Sequence, residues 1–447
     1  MKKQEAKMGS RVDRDTFLRN LHQSGLLTPE LAEALPRLPE TDRGRVLARA
    51  LVHMQLLTKF QAERLLAGVT TGFVLGQYRI LELLGVGGMG KVYKAVHQTM
   101  NREVAIKILA PHLMKTSKAK DLFQKEVRAA ARLIHPNIVT AFDANQIGDR
   151  YFLVMEYVDG PNLDQLVRER GALPVGLACE IIRQTANGLQ YAHEMGMVHR
   201  DIKPANLLAT LIGKNKDLVI KILDFGLARL HEPGARSEEG RTRGESAAGR
   251  SIMGTPDFLS PEQGEGGDVD IRSDLYSLGC TFYFLLTGRV PYPGGTSWEK
   301  LDRQKNEEPE LVEDGRPEIP AAVASIVRRL MAKYPPHRFQ TPAEIAAAVA
   351  PFAASESAPW EATGRAPGKP PVTDPALPST GDLSAERALT GTLPPSVAPT
   401  PLSYLGLTPG ELAQLNDRRH RRKTFFWAAG IVAAVGAAVT LLLVLMQ

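Results

Sequence analysis

The sequence predicts an α+β chain, strand-rich and then mostly helical, with a helical segment in front and an apolar span at its end. Three observations lead there. Val92, Tyr93, Ala95 and Val96, the alternating Val104-Ala105-Ile106-Lys107, and Phe152-Leu153-Val154-Met155-Glu156-Tyr157-Val158 read as strands. The stretches around Cys179 and Cys280 are apolar and helix-like, and Phe425 to Met446 carries no charge. A chain of 447 residues has room for two or three domains at ~100–200 residues each. Its 43% hydrophobic and 23% charged residues are ordinary for a globular protein. The net charge of +6 is concentrated in Arg418, Arg419, Arg421, Arg422 and Lys423, so it gives no argument for nucleic acid, and no nucleic-acid partner is expected. Two cysteines exclude a disulfide framework and suit buried thiols in a reducing compartment. Met1 to Asn20 lacks the apolar core of a secretory signal.

Residues 10–72 form the leading helical segment. Leu26, Leu27, Thr28, Ala32, Glu33 and Leu35 recur about 30 residues later as Leu56, Leu57, Thr58, Ala62, Glu63 and Leu65. Thr28 and Thr58 suit helix N-caps, and Gln61 completes a capping box with Thr58. Two similar helix pairs packed together would bury the leucine stripes, either as a plain bundle or as a docking module for a substrate or regulator.

The glycine loop comes next: Leu84, Gly85, Val86, Gly87, Gly88, Met89, Gly90, Lys91 and Val92. Glycines at 85, 87 and 90 let the backbone fold closely over phosphates. A dinucleotide-binding turn would lead into a helix, whereas a strand follows here; a Walker A loop would need Ser or Thr after Lys91. Lys107, ending a strand beside that loop, can reach the α/β-phosphates of a nucleotide. In the segment His199-Arg200-Asp201-Ile202-Lys203-Pro204-Ala205-Asn206, Asp201 can accept a hydroxyl proton and Asn206 can hold a metal. Lys203 supplies a cation between them. Asp224-Phe225-Gly226, behind an apolar run, adds a metal carboxylate.

Together these motifs resemble the eukaryotic-like serine/threonine protein kinases over roughly Tyr78 to Phe352. The resemblance implies a kinase domain at 78–352 with two lobes, the smaller β-rich and the larger helical. It implies ATP and Mg²⁺ as cofactors, with Mn²⁺ as the alternative metal, and protein substrates. Catalytic roles fall on Asp201, Lys203 and Lys107, with Glu126 as the helix glutamate that pairs Lys107. Asn206 and Asp224 would be the metal ligands. The backbone of Glu156 to Val158 would meet adenine, with Met155 as gatekeeper. Glu262 of Ser260-Pro261-Glu262 would pair Arg338, and Asp274 would tie the catalytic-loop backbone. Ser260 departs from the usual alanine without touching the glutamate. Between Gly226 and Gly254 the sites Ser237, Thr242, Ser246 and Ser251 are candidates for activating phosphorylation, read by Arg200. Rivals are a kinase-fold scaffold recruiting partners through the N-terminal helices, and a small-molecule phosphotransferase, which would lack the Lys203-Pro204 signature.

Residues 353–401, dense in Pro, Ala, Ser and Thr, read as a linker. A short helical and basic juxtamembrane segment follows at 402–424, its helix from about Thr408 to Arg419. Residues 425–446 are long enough for a transmembrane helix, and the cations before it place the preceding chain in the cytoplasm as a single-pass, C-terminally anchored protein of the cell membrane. Gly430, Ala434 and Ala438 recur every four residues, the spacing at which helices approach closely, so a homodimer for trans-autophosphorylation is an alternative to simple anchoring.

Overall fold

The computed structural model describes residues 12–213, 217–225 and 256–353. The juxtamembrane segment, the apolar span, all but Ala353 of the linker, and the four candidate phosphorylation sites lie outside them. Among the described residues no helix is long and apolar enough to cross a membrane.

Four short helices come first: α1 (Arg14–Gln23), α2 (Pro29–Ala34), α3 (Gly44–His53) and α4 (Lys59–Leu66). Thr28 caps α2, and Thr58 caps α4 through a full capping box with Gln61. The sequence repeat is a repeat of structure. The Arg14 N–H donates to the Asp42 carbonyl and the Gly44 N–H to the Val12 carbonyl, each bond the image of the other thirty residues along. Gly25 and Gln55 occupy the same left-handed backbone position in the two halves. Phe17, Leu21, Leu47, Leu51 and Leu65 fill the shared core, and Phe73 from the following segment completes it.

The small lobe is an antiparallel sheet in the order β1-β2-β3-β4-β6-β5. Its strands are β1 (Val74–Leu75), β2 (Tyr78–Gly87), β3 (Gly90–His97), β4 (Arg102–Leu109), β5 (Ala141–Ile147) and β6 (Arg150–Glu156). One helix, α5 (Ser117–Ala130), is capped by Thr116 and buries Phe123 and Glu126. The leading helices do not stand apart from this lobe, because Phe60 of α4 packs against its core.

The large lobe is helical, with α6 (Leu163–Arg170), α7 (Val175–Glu194), α8 (Pro261–Glu265), α9 (Ile271–Thr287), α10 (Ser297–Asn306), α11 (Val312–Gly315), α12 (Ala321–Leu330) and α13 (Pro342–Val349). A two-stranded ribbon, β7 (Leu207–Ile212) with β8 (Asp217–Ile222), lies beside α7. Every residue of α9 except Arg272 and Thr287 is buried, as expected of a helix at the centre of a lobe. A side chain at Gly279 would come within 2.7 Å of Leu330, so glycine there lets α9 and α12 close on each other. Cys179 and Cys280 are buried in this core, and burial pushes both thiols up to about 12, leaving them unreactive at neutral pH.

Candidate functional site

The loop from His199 to Asn206 joins α7 to β7, and its shape is imposed from below. Asp274, buried on α9, accepts the His199 N–H and the Arg200 N–H, both at 2.7 Å. Those two bonds hold Arg200 at φ 68°, a conformation an arginine rarely adopts unaided. Burial pushes the Asp274 carboxyl up, against the pull of the His199 and Arg200 groups. The His199 ring meets the Leu223 carbonyl at 2.6 Å and packs edge-on against Phe225. Through this contact and the Leu223 N–H to the Asn206 carbonyl, the segment carrying Asp224 is tied to the catalytic loop.

Above this support the expected catalytic side chains converge. The Lys203 ammonium donates to both Asp201 carboxylate oxygens at 2.8 Å. The Asn206 amide nitrogen donates to the Asp201 carbonyl at 2.8 Å and to Oδ2 at 2.9 Å. A carboxylate offers about four acceptor sites, and these bonds take three, leaving one for an incoming hydroxyl. Asn206 commits only its nitrogen in these bonds, so its oxygen remains as a donor to a cation.

Lys107 lies on β4 opposite Val92 of β3 and is buried. Its ammonium pairs with Asp224 Oδ2 at 2.8 Å and touches Met89 Sδ at 3.5 Å. The sequence assigned Lys107 to Glu126, but among the described residues its ion pair is with Asp224. Glu126 is buried on α5 with an interaction of its own. The backbone of Asp224, at φ 62°, is left-handed. Spacing along the chain could not say which of two carboxylates, one on α5 and one after β8, meets Lys107.

The glycine loop is the tip of the β2–β3 hairpin, with Gly87 paired to Gly90, Val86 to Lys91 and Gly85 to Val92. Its glycines divide into two kinds. A Cβ at Gly90 would sit 2.0 Å from the Ile108 carbonyl, so the chain's own packing demands glycine. At Gly85, Gly87 and Gly88 an added Cβ would meet nothing within 4 Å. Their smallness has no internal cause and suits close approach by a ligand. Leu84 and Val86 flank them, both exposed. In the segment joining the lobes, Glu156 spends its N–H on the Thr140 carbonyl and its carboxylate on Lys221 at 2.9 Å. Its side chain is therefore a structural tie, and from Glu156 to Val158 only the backbone is a candidate for adenine.

Glu262 and Arg338 form the expected pair, bidentate at 2.7 and 2.9 Å. Burial would raise the Glu262 carboxyl, but the Arg338 and Ser273 bonds outweigh it and hold the pKa below the usual value. Sequence reasoning missed Gln263, whose amide donates to the Arg200 carbonyl at 2.9 Å. The Ser260 to Gln263 capping-box spacing signals a helix start and gave no hint of the second bond. The donor set of Asp224 and Asn206, all oxygen, suits a hard cation such as Mg²⁺. Among the described residues no group of three or more His, Cys, Asp or Glu could enclose a metal by itself. A cation here would therefore depend on the phosphates of a nucleotide as well.

Comparison with known proteins agrees with this geometry. The protein kinase domain profile matches residues 78–348, more than half of the chain. Serine/threonine-protein kinase PknB of Mycolicibacterium smegmatis is 36% identical over 275 residues, covering 61% of this chain and 42% of that protein. PknB of Mycobacterium tuberculosis is 34% identical over 282 residues, covering 62% and 43%. The chain thus spans about two fifths of the length of these relatives. Among solved structures, a double mutant of the Mycobacterium tuberculosis PknI kinase domain superposes with a TM-score of 0.50 at 29% identity, covering 63% of this chain and 98% of that one. The four leading helices fall outside the matched profile.

Proposed function

The chain belongs to the protein kinase family, and on that premise we propose that it transfers the γ-phosphate of ATP to serine or threonine hydroxyls of proteins. The observation that carries the reading is Asp201, its carboxylate held between Lys203 and Asn206 with one acceptor site to spare. The substrate O–H would give its proton to Asp201 as the oxygen forms its bond to phosphorus. The bond from phosphorus to the departing ADP oxygen breaks in the same displacement. Lys203 would steady the negative charge of the transferring group, and its place two residues after the base favours Ser/Thr over Tyr specificity. Lys107 would exchange Asp224 for phosphate oxygens when nucleotide enters. Asp224 and Asn206 are the residues that would hold Mg²⁺, or Mn²⁺ in its place. When bound, the metal would neutralise phosphate charge.

The uncharged run 425–446 behind five cations supports anchoring in the cell membrane with the kinase domain on the cytoplasmic side. Confinement there raises the local concentration of kinase domains and favours autophosphorylation between copies, activating through Thr242 or Ser251. Cell fractionation with and without residues 424–447 tests the anchor: a truncated chain that still sediments with membranes overturns it. For the activity, the purified chain is given labelled ATP, Mg²⁺ and a generic protein acceptor, and the modified residues are identified. Phosphoserine or phosphothreonine is expected. Nucleotide binding without transfer would favour the scaffold reading instead.

A further inference from the structure

We propose that the leading helices act on the nucleotide loop, with Thr58 and Gln61 as positioning residues that clamp β2. Strand β2 carries two bulges relative to β3, between Ile80 and Glu82 and between Leu83 and Gly85, just before the glycine loop. A bulged residue leaves the ladder, so its carbonyl must find another partner. The Leu81 carbonyl finds the Thr58 hydroxyl at 2.5 Å, and the neighbouring Ile80 carbonyl accepts the Gln61 amide at 2.6 Å. Gln61 is buried, and its amide is oriented because Oε1 accepts the Thr58 N–H at 2.9 Å. The capping box that starts α4 is thus also the grip on β2. On the other arm of the hairpin, Tyr93 meets the ring of Phe60.

The internal repeat supplies a control. In the first half Glu30 and Leu31 stand where the second half has Phe60 and Gln61, so only the second half carries the aromatic ring and the amide donor. Thr58 and Gln61 also line a cavity of about 290 Å³, together with Leu26, Val52, Leu56, Arg79 and Leu81. Thr58 and Gln61 supply the side-chain hydrogen bonds from α4 to β2, beside the apolar packing of Phe60.

The inference rests on the kinase reading for its kinetic readout, so a second readout is independent of it. Full-length wild type, Gln61→Leu, Thr58→Val, Thr58→Ser and Asn20→Ala are compared. Asn20 donates to the Leu65 carbonyl of α4 inside the helical bundle rather than to β2, and reports general destabilisation. Losing one clamp bond should raise KM for ATP roughly threefold to tenfold while kcat stays within about twofold. Thr58→Ser should behave as wild type, and Asn20→Ala should lower Tm without moving KM. Amide exchange over residues 82–90 should quicken in Gln61→Leu and not in Asn20→Ala. Unchanged exchange there, or an equal KM shift in Asn20→Ala, overturns the clamp. A wild type that transfers no phosphate overturns the kinase reading, while the exchange data still decide the clamp.

Discussion

Two groups of charges flank the catalytic loop, and they are held in opposite ways. Behind it, Arg338 uses all five N–H groups on the protein: two on Glu262, and one each on the carbonyls of Ala332, Arg272 and Lys333. Its side chain is fully buried. In front, Asp201 and Asp224 remain 20% exposed, held by single lysines and one amide. A charge whose every bond is spent inside the fold can only support it. A charge with spare acceptor sites and exchangeable partners can be passed to a phosphate, a metal or a hydroxyl. That contrast separates structural from chemical charge in this domain, and each part of it can be broken.

The largest effect is expected in front. Asp201→Asn and Asp224→Ala should each lower turnover by about a thousandfold or more, because such residues act as a unit. Asp201→Asn should melt near wild type, whereas Asp224→Ala, which strands the buried Lys107 ammonium, should melt lower. A purified Asp224→Ala protein that turns over normally with Mg²⁺ would remove Asp224 from the site. Behind the loop the order reverses. Arg338→Met should cost about 3 kcal/mol of stability in denaturant titration, since it leaves the half-buried Glu262 carboxylate without its cation.

The same pair predicts a pH dependence. The folded Glu262 pKa lies below its ordinary value of 4.5. Its contribution is therefore full above the unfolded value and lost as pH falls through the folded one. Acid titration followed by fluorescence should show Glu262→Gln with a flatter loss of stability below about pH 4.5 than wild type. Identical acid limbs would mean the pair is not coupled to folding.

The smallest effects compare the two helix repeats. Thr28→Ala and Thr58→Ala each remove an N-cap worth about 1 kcal/mol. Only the second also frees the Leu81 carbonyl, so its loss measured by thermal melting should be the greater. Equal losses would argue that the Thr58 hydroxyl contributes nothing at β2.

What the sequence could disclose follows the same division. The catalytic loop was legible because Asp201, Lys203 and Asn206 lie within one short segment, where local geometry forces them together. The capping box of Thr58 and Gln61 was legible for the same reason. Contacts between distant elements were less so. Glu262 with Arg338 was reached only through the family resemblance, and Lys107 with Asp224 was missed. The second bonds of Gln61 and Gln263 escaped because a capping side chain has a spare donor, and nothing local says where it points.

The account stands most directly on transfer of phosphate by the residues in front of the loop. Wild type and Asp201→Asn, purified in parallel and incubated with Mg²⁺, γ-labelled ATP and a protein acceptor, are compared by mass spectrometry of the acceptor and of the chain itself. Phosphate on serine or threonine with wild type, and nearly none with Asp201→Asn although both bind ATP equally, is the predicted result. Equal labelling by the two proteins, or none by either, would contradict it.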